Sequence, residues 1–348
     1  MRWDSLSAPP DEAGSERAAP AAPPLPLALP GAAIRTFDTP GFAGMTFHEV
    51  RAKSIINRVP GTSRVPFEWT VNPYRGCSHA CVYCLARNTH TYLDLDAGAD
   101  FDRQVIVKVN AGELLRRELA APGWRGAPVA MGTNVDCYQR AEGKYQLMPQ
   151  IIAALRDFAN PFSILTKGTL LLRDLPLLRR AAEVTRVGLA YSVGFLDEAL
   201  WRAVEPGAPS PRRRLAAVRA LTDAGFSVGV LMAPVLPGLC DDDASIDATV
   251  SAVAAAGAAS VTPLVLHLRP GAREWYARWL GREHPHLVPR YRELYRAGAY
   301  APQAYQREVA ARVRIAARRH GLPRAGVGEG RRPAAELGPP PAEQLTLL

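Results

Sequence analysis

Six short apolar runs, each followed by a longer amphipathic segment, constrain the fold of this 348-residue chain more than any other feature. The runs are 66–71 (PFEWTV), 127–132 (APVAMG), 161–166 (PFSILT), 186–193 (RVGLAYSV), 227–233 (SVGVLMA) and 260–266 (SVTPLVL). They read as strands by their β-branched and apolar content. Helices are expected at 85–92, 111–121, 145–158, 169–183, 196–203, 211–224 and 243–256, with a helical portion from 272 to 320. In 145–158, Leu147, Ile151, Ile152, Leu155 and Phe158 recur at helical spacing. Repeated β-then-α units specify an α/β fold with a mostly parallel sheet and right-handed crossovers, as an open sheet or a partial barrel. In either case ligand chemistry belongs at the carboxyl ends of the strands. Cys77 follows the first expected strand, Thr133, Asn134 and Asp136 the second, and Lys167 the third. Ser192 ends the fourth, and Pro234 to Gly238 follow the fifth, so all fall on one rim.

The flanks read differently. Residues 1–33 and 324–348 are rich in Ala, Pro and Gly without strand or helix period, and are expected to be disordered tails. Between them the reading places an N-terminal extension packed on the barrel at 34–65, the βα body at 66–268 and a helical extension at 269–323. Formal charge is 42 − 33 = +9. Residues 1–33 hold two Arg against four acids and residues 324–348 three against three, so the part between carries 9 + 2 − 0 = +11. Arginine doublets and the triplet Arg212-Arg213-Arg214 would line a phosphate-binding face, or serve only as surface cations. No apolar run reaches the roughly 18 residues a membrane helix needs. Acidic residues and prolines near the start do not read as a secretory signal. With an odd, clustered set of five cysteines, the expectation is a cytoplasmic protein whose thiols serve metal or redox chemistry.

Three of those cysteines stand in NPYRGCSHACVYCLARNTHTYLD (72–94), at Cys77, Cys81 and Cys84. A zinc site wants four ligands, which His79 or His90 would complete as Cys₃His. Three cysteines in one tight loop instead suit three irons of a [4Fe–4S] cluster, leaving the fourth iron open for chemistry. Both readings stand on the spacing alone.

The CxxxCxxC spacing with Tyr83 before the last cysteine resembles the radical S-adenosylmethionine (SAM) superfamily. Together with GTNVDCYQ, ILTKG and SVGFLDEALWRAVEPGAPSPRRRLAAVRALTDAGFSVGVLMAPVLPG, it is similar to the branch of spore photoproduct lyase and its DNA-repair-lyase-like relatives, actinobacterial members included, over roughly residues 40–320. The resemblance implies a partial (βα)₆ TIM-type barrel, a [4Fe–4S] cluster on Cys77, Cys81 and Cys84, and SAM chelated at the open iron. It implies reductive cleavage of SAM to methionine and a 5′-deoxyadenosyl radical that abstracts hydrogen, fed by a reductase such as flavodoxin or ferredoxin. DNA repair of the lyase type is the implied function, with modification of RNA, a peptide or a metabolite as the alternative. The rival outside enzymes is a non-catalytic zinc or Fe–S module that binds DNA.

By the same resemblance, Lys167 reaches the SAM carboxylate, Ser192 the ribose or amino group, and Tyr83, Thr133 and Asn134 border the cofactor. Pro234 belongs to the element packed on adenine. Asp136 would bind substrate or cap the next segment. Cys137 is the candidate catalytic thiol returning hydrogen to a product radical, or else a simple packed cysteine, since Gly132, five residues earlier, aligns with the lyase donor. Leu85 is a second departure, since the lyases often carry Tyr there. Arg87, His90 and Tyr92 would face the cluster or substrate, or pack on the loop; Trp275, Tyr276 and Trp279 read as core, and Cys240 as structural. The terminal Gln344, Leu345, Leu347 and Leu348 resemble the short peptide that docks on the sliding clamp, an extended segment with alternating apolar side chains.

Overall fold

A computed structural model describes residues 32–60 and 65–322. The clamp-like peptide and nearly all of both tails lie outside those residues. Eleven strands occur among the described residues: β1 Ala33–Arg35, β2 Thr46–Val50, β3 Ile56–Arg58, β4 Trp69–Val71, β5 Tyr74–Arg75, β6 Gln104–Lys108, β7 Val129–Met131, β8 Phe162–Thr166, β9 Val187–Ser192, β10 Val228–Val235 and β11 Ser260–Val265. The helices are α1 Ala99–Arg103, α2 Ala111–Leu119, α3 Glu142–Tyr145, α4 Leu147–Asp157, α5 Leu175–Ala182, α6 Glu198–Val204, α7 Pro211–Asp223, α8 Asp243–Ala255, α9 Ala272–Glu283, α10 Val288–Leu294 and α11 Gln303–Arg319.

The six expected strands become β4 and β7 to β11, neighbours in chain order and all mutually parallel. β3 adds an antiparallel edge beside β4, and the sheet does not close on itself, giving the partial barrel. Strand residues such as Val71, Met131, Ile164, Leu189, Val230 and Val261 are buried beneath the helices. Burial on that face supplies much of the apolar content of the runs, while alternate residues such as Ser163 and Leu165 of β8 are half-buried.

A second, four-stranded sheet in the order β1-β2-β6-β5 was not expected. Its inner face carries Phe47, Val105 and Val107, all fully buried. The first parallel strand is shorter than expected, beginning at Trp69 and not at Pro66, which has no N–H to give a ladder. The segment after the cysteines is a 3-10 helix, Arg87–Leu93, and not an α-helix; Thr89 and Thr91 hydroxyls bond back to the Ala86 and Asn88 carbonyls. Beyond β11 the chain is helical, and α11 lies against β11 and α8.

Candidate functional site

The cysteine loop leaves β5 and is clamped from two sides. On one side, Gln139 Oε1 accepts from the Ser78 amide at 2.8 Å, while Gln139 Nε2 donates to the Gly76 carbonyl at 2.9 Å. The Arg140 amide donates to Ser78 Oγ at 3.1 Å. On the other side, the Val82 amide donates to Val204 O and the Gly207 amide to His79 O, each at 3.0 Å. A Cβ on Gly207 would stand 2.0 Å from the Ser78 carbonyl oxygen, so only glycine lets this turn seat against the loop.

Asp136 ties that loop to the end of β8. Its carboxylate accepts from Thr166 Oγ1 at 2.6 Å, the Lys167 amide at 2.6 Å and the Tyr138 amide at 2.9 Å, and lies 3.4 Å from His79 Nδ1. These partners make Asp136 a brace, with the capping role joined to a longer-range one. Burial, partly offset by Asp136, depresses His79 to about 4, so its ring is neutral at pH 7.

A buried ionic network lies behind Tyr83. Its hydroxyl donates to Glu205, which also pairs with Arg214; Glu205 and Arg214 are 0% and 1% exposed. Arg214 continues to the Pro209 carbonyl at 2.7 Å and the Ser192 carbonyl at 3.1 Å. The network therefore couples the cysteine loop, α6, α7 and the end of β9. This corrects the reading of Arg212-Arg213-Arg214 as one surface patch: Arg214 is core, because Glu205 supplies the counter-charge that burial demands.

Cys77 and Cys81 are buried, Cys84 is half-buried, and all three are free thiols. Burial raises each of them. Cys81 reaches about 12 despite Lys167, whose charge opposes the rise. Burial opposes the Lys167 charge in turn, but Cys81, Glu205 and Asp136 outweigh it and hold the ammonium protonated. Lys167 Nζ lies 5.7 Å from the Tyr83 ring centroid, and among the described residues it makes no ion pair.

The donor set fits an iron–sulfur cluster. Thiolates buried without an acid-stabilised ligand shell need cationic company, and Lys167, Arg214 and Arg87 supply it. Among the described residues no three His, Cys, Asp or Glu side chains gather as ligands of a single ion. Of the histidines suggested for Cys₃His, His79 Nδ1 lies 3.4 Å from Asp136 and His90 Nε2 lies 2.8 Å from the Gln104 carbonyl.

The remaining candidates divide. Thr133, Asn134 and Pro234 are half-buried at the carboxyl ends of β7 and β10. Pro234 lies inside β10 and not after it, at an irregularity between Met232 and Val235 where proline offers no ladder donor. Ser192 Oγ donates to the Ala233 carbonyl at 2.7 Å, linking β9 to that irregularity. Cys240 is buried in the loop after β10 and its sulfur accepts from the Leu236 amide. Tyr276 and Trp279 are core as expected, whereas Trp275 is half-buried and stacks on Arg87. His90 is buried, while Tyr92 is 73% exposed.

Gly132 has φ +73°, and a Cβ there would lie 1.8 Å from the Leu165 carbonyl oxygen, so no side chain fits. The same point is 3.6 Å from Cys137 Sγ. Cys137 is buried, and burial, then Asp136 and Glu142, holds it well above the ordinary thiol range, as neutral S–H. Reading the sequence missed Glu205, Gln139 and the internal role of Arg214. Their signal was present only as the position of GTNVDCYQ and EPGAPSPRRR within the longer resemblance.

A sequence model described as the Radical SAM superfamily matches residues 71–248, just over half of the chain. An uncharacterised protein of Mycobacterium tuberculosis is 52% identical over 290 residues, covering 82% of this chain and 85% of its own. An uncharacterised protein of Methanocaldococcus jannaschii is 28% identical over 195 residues, covering 56% and 69%. Among solved structures, spore photoproduct lyase complexed with dinucleoside spore photoproduct superposes with a TM-score of 0.60 at 15% identity, covering 79% of each chain. A mutant of that lyase with bound AdoMet and the dinucleoside gives 0.59 at 16% identity, covering 78% of each.

Proposed function

Because this chain belongs to the Radical SAM superfamily, with a [4Fe–4S] cluster and SAM as its cofactors, we propose that it acts on a nucleic acid, in DNA repair of the spore photoproduct lyase kind. When bound, the cofactors supply one-electron reductive cleavage of a sulfonium and a carbon radical that removes hydrogen from substrate.

The chain's part is to hold and shield. Cys77, Cys81 and Cys84 would ligate three irons of the cluster, and the two-sided clamp holds in place the loop that carries them. Lys167 presents a protonated, unpaired ammonium beside that loop, suited to the SAM carboxylate. Thr133, Asn134, Tyr83, Ser192 and Pro234 border the same rim. Tyr83 acts through its ring, since its hydroxyl is held by Glu205.

The observation that carries the repair reading is Cys137. A thiol that returns a hydrogen atom must be protonated and must stand near the end of β7. Its sulfur is buried and sits 3.6 Å from the point where a side chain on Gly132 would begin, which supports Cys137 as the donor in a chain whose Gly132 offers no thiol. The body charge of +11 suits a phosphate-bearing substrate.

The test is 5′-deoxyadenosine release and thymine-lesion reversal by reduced, reconstituted protein with UV-irradiated DNA, undamaged DNA and RNA. Stimulation by damaged DNA alone, with Cys137→Ala releasing 5′-deoxyadenosine but diverting the product, supports the reading. Equal rates with and without every nucleic acid refute the substrate class.

A further inference from the structure

Arg87, three residues past the last cysteine, is a fully buried cation that the clamp described above does not include. Its Nε and Nη2 donate to the Cys81 carbonyl at 3.2 and 2.9 Å. Nη1 donates to the carbonyls of Ala97 and Gly98 at 3.2 and 2.8 Å, and Nη2 reaches both Asp102 oxygens at 2.8 and 3.0 Å. The guanidinium is sandwiched between the Phe101 and Trp275 rings, 5.1 and 5.0 Å from their centroids. A Cβ on Gly98 would overlap Trp275, so glycine there lets the Trp275 ring close over this segment.

Arg87 is also tied to the third cysteine, since its backbone amide donates to the Cys84 carbonyl at 3.3 Å, so its guanidinium is fixed against the segment that carries both Cys81 and Cys84. A three-thiolate cluster gains one negative charge on accepting an electron. A fixed cation in a site without water favours that reduced form, and a fixed anion disfavours it.

We infer that Arg87, with Asp102 as its counter-charge, is a positioning residue that sets the reduction potential of the cluster held by Cys81 and Cys84. The inference rests on the reading of the cysteine loop as a [4Fe–4S] site. A residue that only braced the loop would lower iron content when altered and leave the potential of the loaded protein in place.

The test is a redox titration of the anaerobically reconstituted full-length protein, with dithionite as reductant at pH 8, followed by electron paramagnetic resonance and normalised to bound iron. That pH lies above the value of about 6 to which burial raises Asp102 despite Arg87. Arg87→Gln should make reduction at least tenfold less favourable, about 59 mV lower for one electron. Asp102→Asn should shift the potential upward, and Arg87→Lys should lie nearer the wild type than Arg87→Gln. If Arg87→Gln does not fold, the upward shift of Asp102→Asn decides. A loaded Asp102→Asn protein whose potential falls or stays unchanged overturns the inference alone. A wild-type protein that takes up no four-iron cluster overturns the reading beneath it, before any variant is compared.

Discussion

Replacing Glu205 by Gln removes one charge from the buried pair behind Tyr83 and leaves the rest of the side chain in place. The Arg214 guanidinium, 1% exposed, then keeps the Pro209 and Ser192 carbonyls and a neutral amide oxygen as partners but has lost its counter-charge. Breaking one side of a buried pair costs about 3–5 kcal/mol, because the surviving charge is stranded away from water. At about 2–3 °C per kcal/mol for a domain of this size, the melting temperature should fall by roughly 6–15 °C. Arg214→Met alone should cost a similar amount. The double variant should recover at least ~2 kcal/mol relative to the sum of the two, since neither charge is then left alone. Urea denaturation of the apoprotein measures all four corners of the cycle. A single-variant loss below ~1 kcal/mol, or strictly additive losses, would refute the claim that this pair braces the loop.

Other expectations follow from single residues. Lys108 is held at about 8, below its ordinary 10.5, by burial and then by Arg75. Between those values the unfolded chain keeps a proton that the folded one has released, so the Lys108 contribution to stability should rise with pH from about 8 to 10.5 and be flat below, opposite in sign to that of the buried thiols, whose pKa burial raises. The rise is at most about 3 kcal/mol, less where water reaches the amine, and Lys108→Met should abolish it in pH-dependent melting. Gly132→Ala should cost more than ~2 kcal/mol from its positive φ and the Leu165 carbonyl, whereas Gly123→Ala, with open space around it, should change stability by less than ~0.5 kcal/mol. Lys167→Ala should keep its iron and lose at least tenfold in SAM affinity by calorimetry; unchanged affinity would remove Lys167 from the cofactor site.

The parallel strands were legible because their buried residues write themselves as short apolar runs, as in Val228–Val235. The second sheet was not. β5 is two residues long and sits inside the cysteine motif, and β6 follows directly on a helix, so neither offers a run bounded by turn residues. The three cysteines stood out by their spacing within eight positions, and the family resemblance, not the spacing, chose iron–sulfur over zinc. What braces them comes from far along the chain: Glu205 meets Tyr83 across 122 residues, and Gln139 meets Ser78 across 61. Arg214 carried the opposite signal, because a cation in a triplet reads as surface until its carboxylate is placed. The resemblance pointed to Gly132 as the departure at the donor position; only the coordinates showed that the Leu165 carbonyl closes it and that Cys137 stands beside it.

The central claim is that Cys77, Cys81 and Cys84 hold a cluster that cleaves SAM. The most direct measurement is 5′-deoxyadenosine production by anaerobically reconstituted, dithionite-reduced protein, comparing the wild type with Cys81→Ala at known iron content. The account predicts about four irons per chain and product in the wild type, with both lost in Cys81→Ala. Product or wild-type iron retained by Cys81→Ala, or stoichiometric zinc and no product in the wild type, would contradict it.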